Sequence, residues 1–188
     1  MRRAAAGDRE AFAAIYERDR TVVYRFARLM SGSNATAEDV TQEVFVTLIR
    51  TLSSYEPQRA GLLTYLYGVA RNLTRNRLRR DRRFVALDTA AGTPCSSGDD
   101  PYDAAARAQE RALLRRVILS LPSRYREVII LSDVQGLTYA ETASILQVPV
   151  GTVRSRLSRG RRMIAMRLQK TEVPGGLPAV RPIERCVV

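Results

Sequence analysis

The residues of this chain best equipped for chemistry are arginines on a helical pattern with no acid beside them, and their chemistry is anion recognition. The stretch Gly151-Thr152-Val153-Arg154-Ser155-Arg156-Leu157-Ser158-Arg159-Gly160-Arg161-Arg162 contains no carboxylate. A guanidinium pairs bidentately with phosphate oxygens or with guanine O6 and N7, while Ser and Thr hydroxyls position a helix against phosphates. Val153, Leu157, Gly160 and Ile164 recur at helical spacing and predict the buried stripe. Arg154, Ser155, Ser158, Arg159 and Arg162 then face away, with Arg156 and Arg161 at the flanks. Gly151 and Thr152 fall in the first turn, where free N–H groups and the helix dipole favour a phosphate. A solvated basic face is the plainer reading of such a pattern. Against it stands the capped segment from Thr138 and the turn Gln147-Val148-Pro149, which together give helix-turn-helix spacing.

A second constellation lies upstream. Tyr55, Tyr65 and Tyr67 stand amid Arg59, Arg71, Arg75 and Arg77. Aromatic faces interleaved with phosphate-binding cations suit single-stranded nucleic acid, whose unpaired bases stack for about 1–3 kcal/mol each. The same tyrosines serve equally well as core or rim packing.

The charge distribution points to the same partner. The 188 residues carry a formal net charge of +12, and Lys170 is the one lysine among 31 basic residues. Residues 51–83 hold eight arginines against Glu56 and Asp81, and residues 151–170 hold six arginines and Lys170 with no acid. Between them, residues 84–113 hold two arginines against five acids. Two basic blocks flanking an acidic spacer make nucleic acid the leading partner and an anionic membrane surface the second. No run of apolar residues is long enough to span a membrane, and the start lacks the apolar stretch of a secretory signal, so a cytoplasmic location is expected. Histidine is absent, and Cys95 and Cys186 fall in a polar stretch and the tail, a pattern that offers neither a zinc centre nor a disulfide scaffold. No catalytic triad, paired-carboxylate cleft or phosphate-binding glycine loop is present, so no enzymatic activity and no cofactor are expected.

The elements that must position these residues are helices. Periodicity predicts one from Asp8 to about Met30, and a second entered through a Thr36–Asp39 capping pair with Val40, Val44, Phe45, Leu48 and Leu52 as its stripe. Ser53 to Gly61 reads as a loop, and Leu62 to Arg80 as a third helix buried through Leu62, Leu66, Val69, Ala70 and Leu73. The stretch from 86 to 103 is rich in Ala, Gly, Ser, Thr, Pro and Asp and reads as a linker. Helix resumes from Tyr102 to Leu121, restarts at Pro122, turns at Gln135-Gly136, and is capped again by Thr138 with Glu141. The expected fold is all-α. Two small helical domains, 1–83 and 105–170, are joined by a flexible linker at 84–104, with a disordered tail at 171–188 and a helix-turn-helix in the second domain.

Four ordered motifs then resemble one family. They are Ala37-Glu38-Asp39-Val40-Thr41-Gln42-Glu43-Val44-Phe45; Leu63-Thr64-Tyr65-Leu66-Tyr67-Gly68-Val69-Ala70-Arg71-Asn72; Leu121-Pro122-Ser123-Arg124-Tyr125-Arg126-Glu127-Val128; and Thr138-Tyr139-Ala140-Glu141-Thr142-Ala143, continuing through Gly151 to Leu157. Across residues 8–168 the chain is similar to the sigma-70 family of RNA polymerase initiation factors, in the extracytoplasmic-function (ECF) group.

The resemblance implies roles residue by residue. Asp39, Gln42, Glu43 and Phe45 match the helix that docks on the clamp of core RNA polymerase, although Phe45 on its stripe also reads as core. Tyr55, Arg59 and Tyr65 match the part that captures a flipped base of the −10 element, and Asn72, Arg75, Asn76, Arg79 and Arg80 the part facing upstream −10 DNA. Gly151, Thr152, Arg154, Ser155, Arg156, Ser158, Arg159 and Arg162 match the −35 reader. The implied function is to direct core polymerase to promoters and to assist melting, in the setting of a stress response. Promoter DNA, core polymerase and an anti-sigma factor, commonly membrane-linked, are the implied partners. A dimeric helix-turn-helix regulator shares the last helix and is the competing reading. Three departures stand out: Tyr65 replaces a common Trp, Gln147 replaces a usual glycine at a left-handed turn, and the leader before Asp8 is short.

Overall fold

In the computed structural model, which describes residues 2–52, 55, 61–84 and 101–171, the chain is a stack of helices. A short turn of helix α1 (Arg2–Ala5) leads into α2 (Arg9–Ser31), α3 (Asn34–Thr51) and α4 (Leu62–Phe84). The second group is α5 (Pro101–Ser120), α6 (Ser123–Ile129), α7 (Tyr139–Leu146) and α8 (Val150–Thr171). Between α6 and α7 the chain winds through a π-helical turn, Ile130–Val134, closed by Gln135 N–H donating to Ile130 O at 2.9 Å. The expected all-α fold with a helix-turn-helix in its second half is the observed one. Arg59 and most of the loop around it, residues 85–100 with Cys95, and the tail with Cys186 lie outside the described residues.

Local chemistry sets the helix ends. Asp8 caps α2 by accepting from Ala11 N–H at 3.1 Å, and Gly32 ends it at φ 80°, its amide donating to Arg28 O. That backbone is accessible to glycine without the steric cost other residues meet. The cap of α3 is Ser33, accepting from Thr36 N–H at 3.2 Å, and not Thr36 as the capping-pair pattern predicts. A true cap must precede the first helical residue, and Gly32 has already turned the chain by then. Thr138 and Glu141 do form the reciprocal capping box on α7, each side chain bonded to the other's backbone N–H. Gln147 follows at φ 55°, the left-handed turn expected where the family has glycine. Pro122 lies one residue before α6 rather than within its first turn.

The first unit buries Val23, Phe26 and Met30 of α2 against Val40, Val44 and Leu48 of α3 and Leu66, Tyr67 and Ala70 of α4. Tyr67 is therefore a core residue, its ring 5.4 Å from that of Phe26, rather than a stacking platform. The second unit packs α6 and α7 on the Val153–Leu157–Gly160 stripe of α8. Ile164, expected to complete that stripe, is only partly buried.

The two units do not stand apart. Their buried residues form one continuous apolar cluster, with Ile118, Leu121, Ile130 and Leu131 joined to the core of the first unit. Arg126 of α6 reaches across to donate to Met30 O at 2.7 Å, at the end of α2, and also bonds Leu119 O and Leu121 O. One guanidinium thus satisfies the orphan carbonyls of two helix C-termini.

Candidate nucleic-acid interface

The outward face of α8 is built from the inside out. Val153 and Leu157 are buried, and Gly160 lets α8 approach α6 so closely that an added Cβ would sit 3.0 Å from Ile129 Cγ1 and 3.6 Å from Tyr125 Cβ. With that stripe buried, Gly151, Arg154, Ser155, Ser158, Arg159 and Arg162 are exposed, and Thr152 and Arg156 half-buried at the margin. The Thr152 amide donates to Pro149 O at 2.9 Å. It is therefore engaged within the turn, not free for an anion as its first-turn position predicts.

Neighbouring side chains orient the arginines of this face, and the sequence does not announce them. Arg154 lies over the ring of Tyr139, 6.0 Å from its centroid, and Arg124 lies over Tyr125 at 4.8 Å. Arg159 hydrogen-bonds the Tyr125 phenol and holds its pKa below the ordinary value. Arg161 is withdrawn from the face: it makes a bidentate pair with Asp133 of the π turn, at 3.0 and 2.5 Å. That partner pushes the Arg161 pKa up. Asp133 is 28 positions away, so no local pattern reveals the pairing.

On α4, Asn72, Asn76, Arg79 and Arg80 share an exposed polar face. Arg75 sits at its edge, its Nε 3.8 Å from Glu127 of the second unit. Tyr65 shares a 2.7 Å hydrogen bond with Thr51 and meets the ring of Tyr55 edge-to-face at 5.6 Å. Burial pushes the Tyr55 phenol up. The two tyrosines form a single aromatic ledge where α3 ends and α4 begins.

A third face lies on α3. Asp39, Gln42 and Glu43 are exposed and line a shallow concavity with Val46, Arg50 and Arg77. Arg77 of α4 bridges Asp39 and Glu43 at 3.0 Å each. Phe45 is not on this surface; it is buried against Phe12 and Tyr16, so it holds α3 from beneath. Val46 and Ile49, 43% and 57% exposed, are apolar members of the same helix that charge-based reading passes over. Among the described residues no group of His, Cys, Asp and Glu side chains could hold a metal, and no helix is long and apolar enough to cross a membrane.

Two family models match the chain, one for each unit. Sigma-70 region 2 matches residues 15–84, and sigma-70 region 4 matches residues 111–164. The chain is 34% identical to the ECF sigma factor SigW of Bacillus subtilis over 172 residues, covering 87% of this chain and 91% of that one. It is 32% identical to the ECF sigma-E factor of Escherichia coli K12 over 180 residues, covering 90% and 92%. Among solved structures, the fold is similar to RpoE of Bartonella quintana, in complex with the anti-sigma factor NepR (TM-score 0.69, 22% identity, 87% of this chain and 99% of that one). It is also similar to CnrH in complex with the cytosolic domain of CnrY (TM-score 0.66, 23% identity, 90% and 95%). A dimeric regulator would use the last helix alone, whereas both units match here. The chain belongs to the sigma-70 family of RNA polymerase sigma factors, in its extracytoplasmic-function group.

Proposed function

We propose that the chain works as a two-site promoter reader. Residues 105–170 read the −35 element as duplex, and residues 1–83 hold the non-template strand of the −10 element. Residues 84–104 connect the two. The observation that carries this reading is the exposure of Arg154, Ser155, Ser158, Arg159 and Arg162 above a buried Val153–Leu157–Gly160 stripe. A recognition helix entering the major groove needs that division.

The −10 site in this proposal comprises the Tyr55–Tyr65 ledge, Arg59, and the face bearing Asn72, Arg75, Asn76, Arg79 and Arg80. Edge-to-face support of Tyr65 by Tyr55 favours a rigid platform for an unstacked base. Core polymerase docks on Asp39, Gln42 and Glu43 with Val46 and Ile49 beside them, and its own active site makes the RNA. An anti-sigma factor, as NepR is for RpoE of Bartonella quintana, holds the protein inactive in the cytoplasm.

Run-off transcription with core polymerase and fragments of the source genome tests the proposal. Initiation should require this chain, and it should fall when either promoter element is scrambled. Equal initiation from intact and scrambled −35 elements would refute the assignment of α8.

A further inference from the structure

Tyr67, Arg71 and Arg75 are spaced four apart on α4 and so line one ridge. All three meet the second unit. The Tyr67 phenol donates to Gln135 Oε1 at 2.9 Å, and Arg71 Nε donates to Glu127 Oε2 at 3.0 Å. Arg75 Nε lies 3.8 Å from the other carboxylate oxygen, Glu127 Oε1. The Glu127 and Arg71 side chains are 5% and 11% exposed, and that of Arg75 is 40% exposed. One buried carboxylate thus turns each oxygen to a different guanidinium. The two non-bridging oxygens of a phosphodiester present the same pair of acceptors.

Two features set this contact apart from an ion pair that only holds the fold together. It lies at the margin of the open polar face carrying Asn72, Asn76, Arg79 and Arg80, so the ridge continues a surface suited to a nucleic-acid strand. The seam around it is also imperfectly satisfied, because Gln135 Nε2 is buried with no hydrogen-bond partner. A buried donor left unpaired penalises the closed arrangement, and a buried ion pair offsets its own desolvation poorly. The polar part of the closure is therefore open to replacement by a competing anion.

We propose that Arg71 and Arg75 form a phosphodiester-binding pair, which Glu127 fills in the free chain and a nucleic-acid backbone phosphate fills when the two units part. The proposal deepens the −10 reading of α4 and rests on it. It adds Arg71 to that site, and it makes strand binding and closure of the two units compete for the same two cations. Free factor then binds single strands weakly because its own carboxylate occupies the site, and any partner that draws the second unit away exposes it. Parting also releases the Tyr67 phenol from Gln135 and Arg126 from Met30 O, two further polar ties across the seam.

The test uses the full chain and a fluorescent random single-stranded DNA 20-mer. Glu127→Gln should bind it about tenfold more tightly than the parent if the closed form dominates by about that ratio. Adding Arg71→Gln to that variant should remove the gain. Unchanged affinity in Glu127→Gln, or a gain that persists in the double variant, overturns the proposal. A measurement on the parent fold guards against misfolding of the variants. With Cys95 and Cys186 changed to Ser and fluorophores on cysteines at exposed Glu10 and Met166, energy transfer should fall as the oligonucleotide binds. Binding with no change in transfer also overturns it. Transcription indifferent to a scrambled −10 element would count instead against the reading of α4 as the −10 site, and the oligonucleotide results decide the arginine pair independently.

Discussion

Gly160 of α8 faces Ile129 of α6 at a separation tighter than ordinary side-chain contact: a Cβ on Gly160 would lie 3.0 Å from Ile129 Cγ1 and 3.2 Å from Ile129 Cδ1. The helix that presents the arginines is therefore held by a contact between backbone and an isoleucine. Gly160→Ala requires Ile129 to give way by a few tenths of an ångström, and where the packing resists it costs about 1–3 kcal/mol. Thermal unfolding should show a lower Tm, by about 2–4 °C per kcal/mol in a chain of this size. The intrinsic helix preference of alanine works the other way by about 1 kcal/mol. A rise in Tm would mean the helix preference outweighs the clash and the packing here is slack.

Arg159 and Arg161 are two residues apart and should behave differently. Arg159 is exposed on the outward face beside Tyr125, whereas the Nε–Nη2 edge of Arg161 is paired with Asp133. Arg159→Ala and Arg154→Ala should each lower −35-dependent transcription by about 1–3 kcal/mol of recognition and relax sequence preference. Arg161→Ala should leave −35 preference unchanged and lower stability by no more than about 1 kcal/mol, since the pair is solvent-screened. Comparing the three variants on intact and substituted −35 elements checks the distinction. A specificity change in Arg161→Ala would place that residue on the reading face after all.

The capping box of α7 carries a pH signature. Hydrogen bonds from the Thr138 hydroxyl and amide hold the Glu141 carboxyl below its ordinary pKa of 4.5. A folded-state pKa depressed in this way contributes stability that is fully present above that ordinary value. It is lost as pH falls through the lowered folded-state value. Denaturant unfolding of the parent and Glu141→Gln should show a constant stability difference above about pH 5.5, shrinking as the pH falls below 4.5. A difference unaffected by acid would show that the charge of Glu141 plays no part in the cap.

The α3 surface predicts a split between charge and apolar contact. Asp39→Ala and Ile49→Asp should both weaken affinity for core polymerase while DNA binding by the second unit is unaffected. Ile49→Asp should be the more damaging, because it places a carboxylate in the apolar part of the contact and leaves it to be desolvated. Fluorescence titration of core with labelled factor measures both. Unchanged affinity in Ile49→Asp would exclude that residue from the docking surface.

Much of this protein is legible along the chain because helices are local objects. The capping box at Thr138 and Glu141, the left-handed turn at Gln147 and the Val153–Leu157–Gly160 stripe all depend on residues within a few positions of one another. Spacing of three and four therefore locates them. The outward arginines of α8 follow from the same periodicity, and the motifs in order carry the family. Local competition blurs one boundary: two nearby hydroxyls compete for the α3 cap, and only the turn at Gly32 selects Ser33.

What tertiary structure alone decided is which side chains meet across distance, since sequence separation carries no information about a guanidinium's partner. Arg161 finds Asp133 over 28 positions, Arg71 finds Glu127 over 56, and Arg126 finds Met30 O over 96. Composition places two basic blocks on either side of an acidic spacer and leaves them as separate modules. Packing joins their cores and sets one carboxylate between two arginines of the opposite unit. Local periodicity determined the faces this chain presents; the fold determined which of those faces stays open and which is covered by the protein itself.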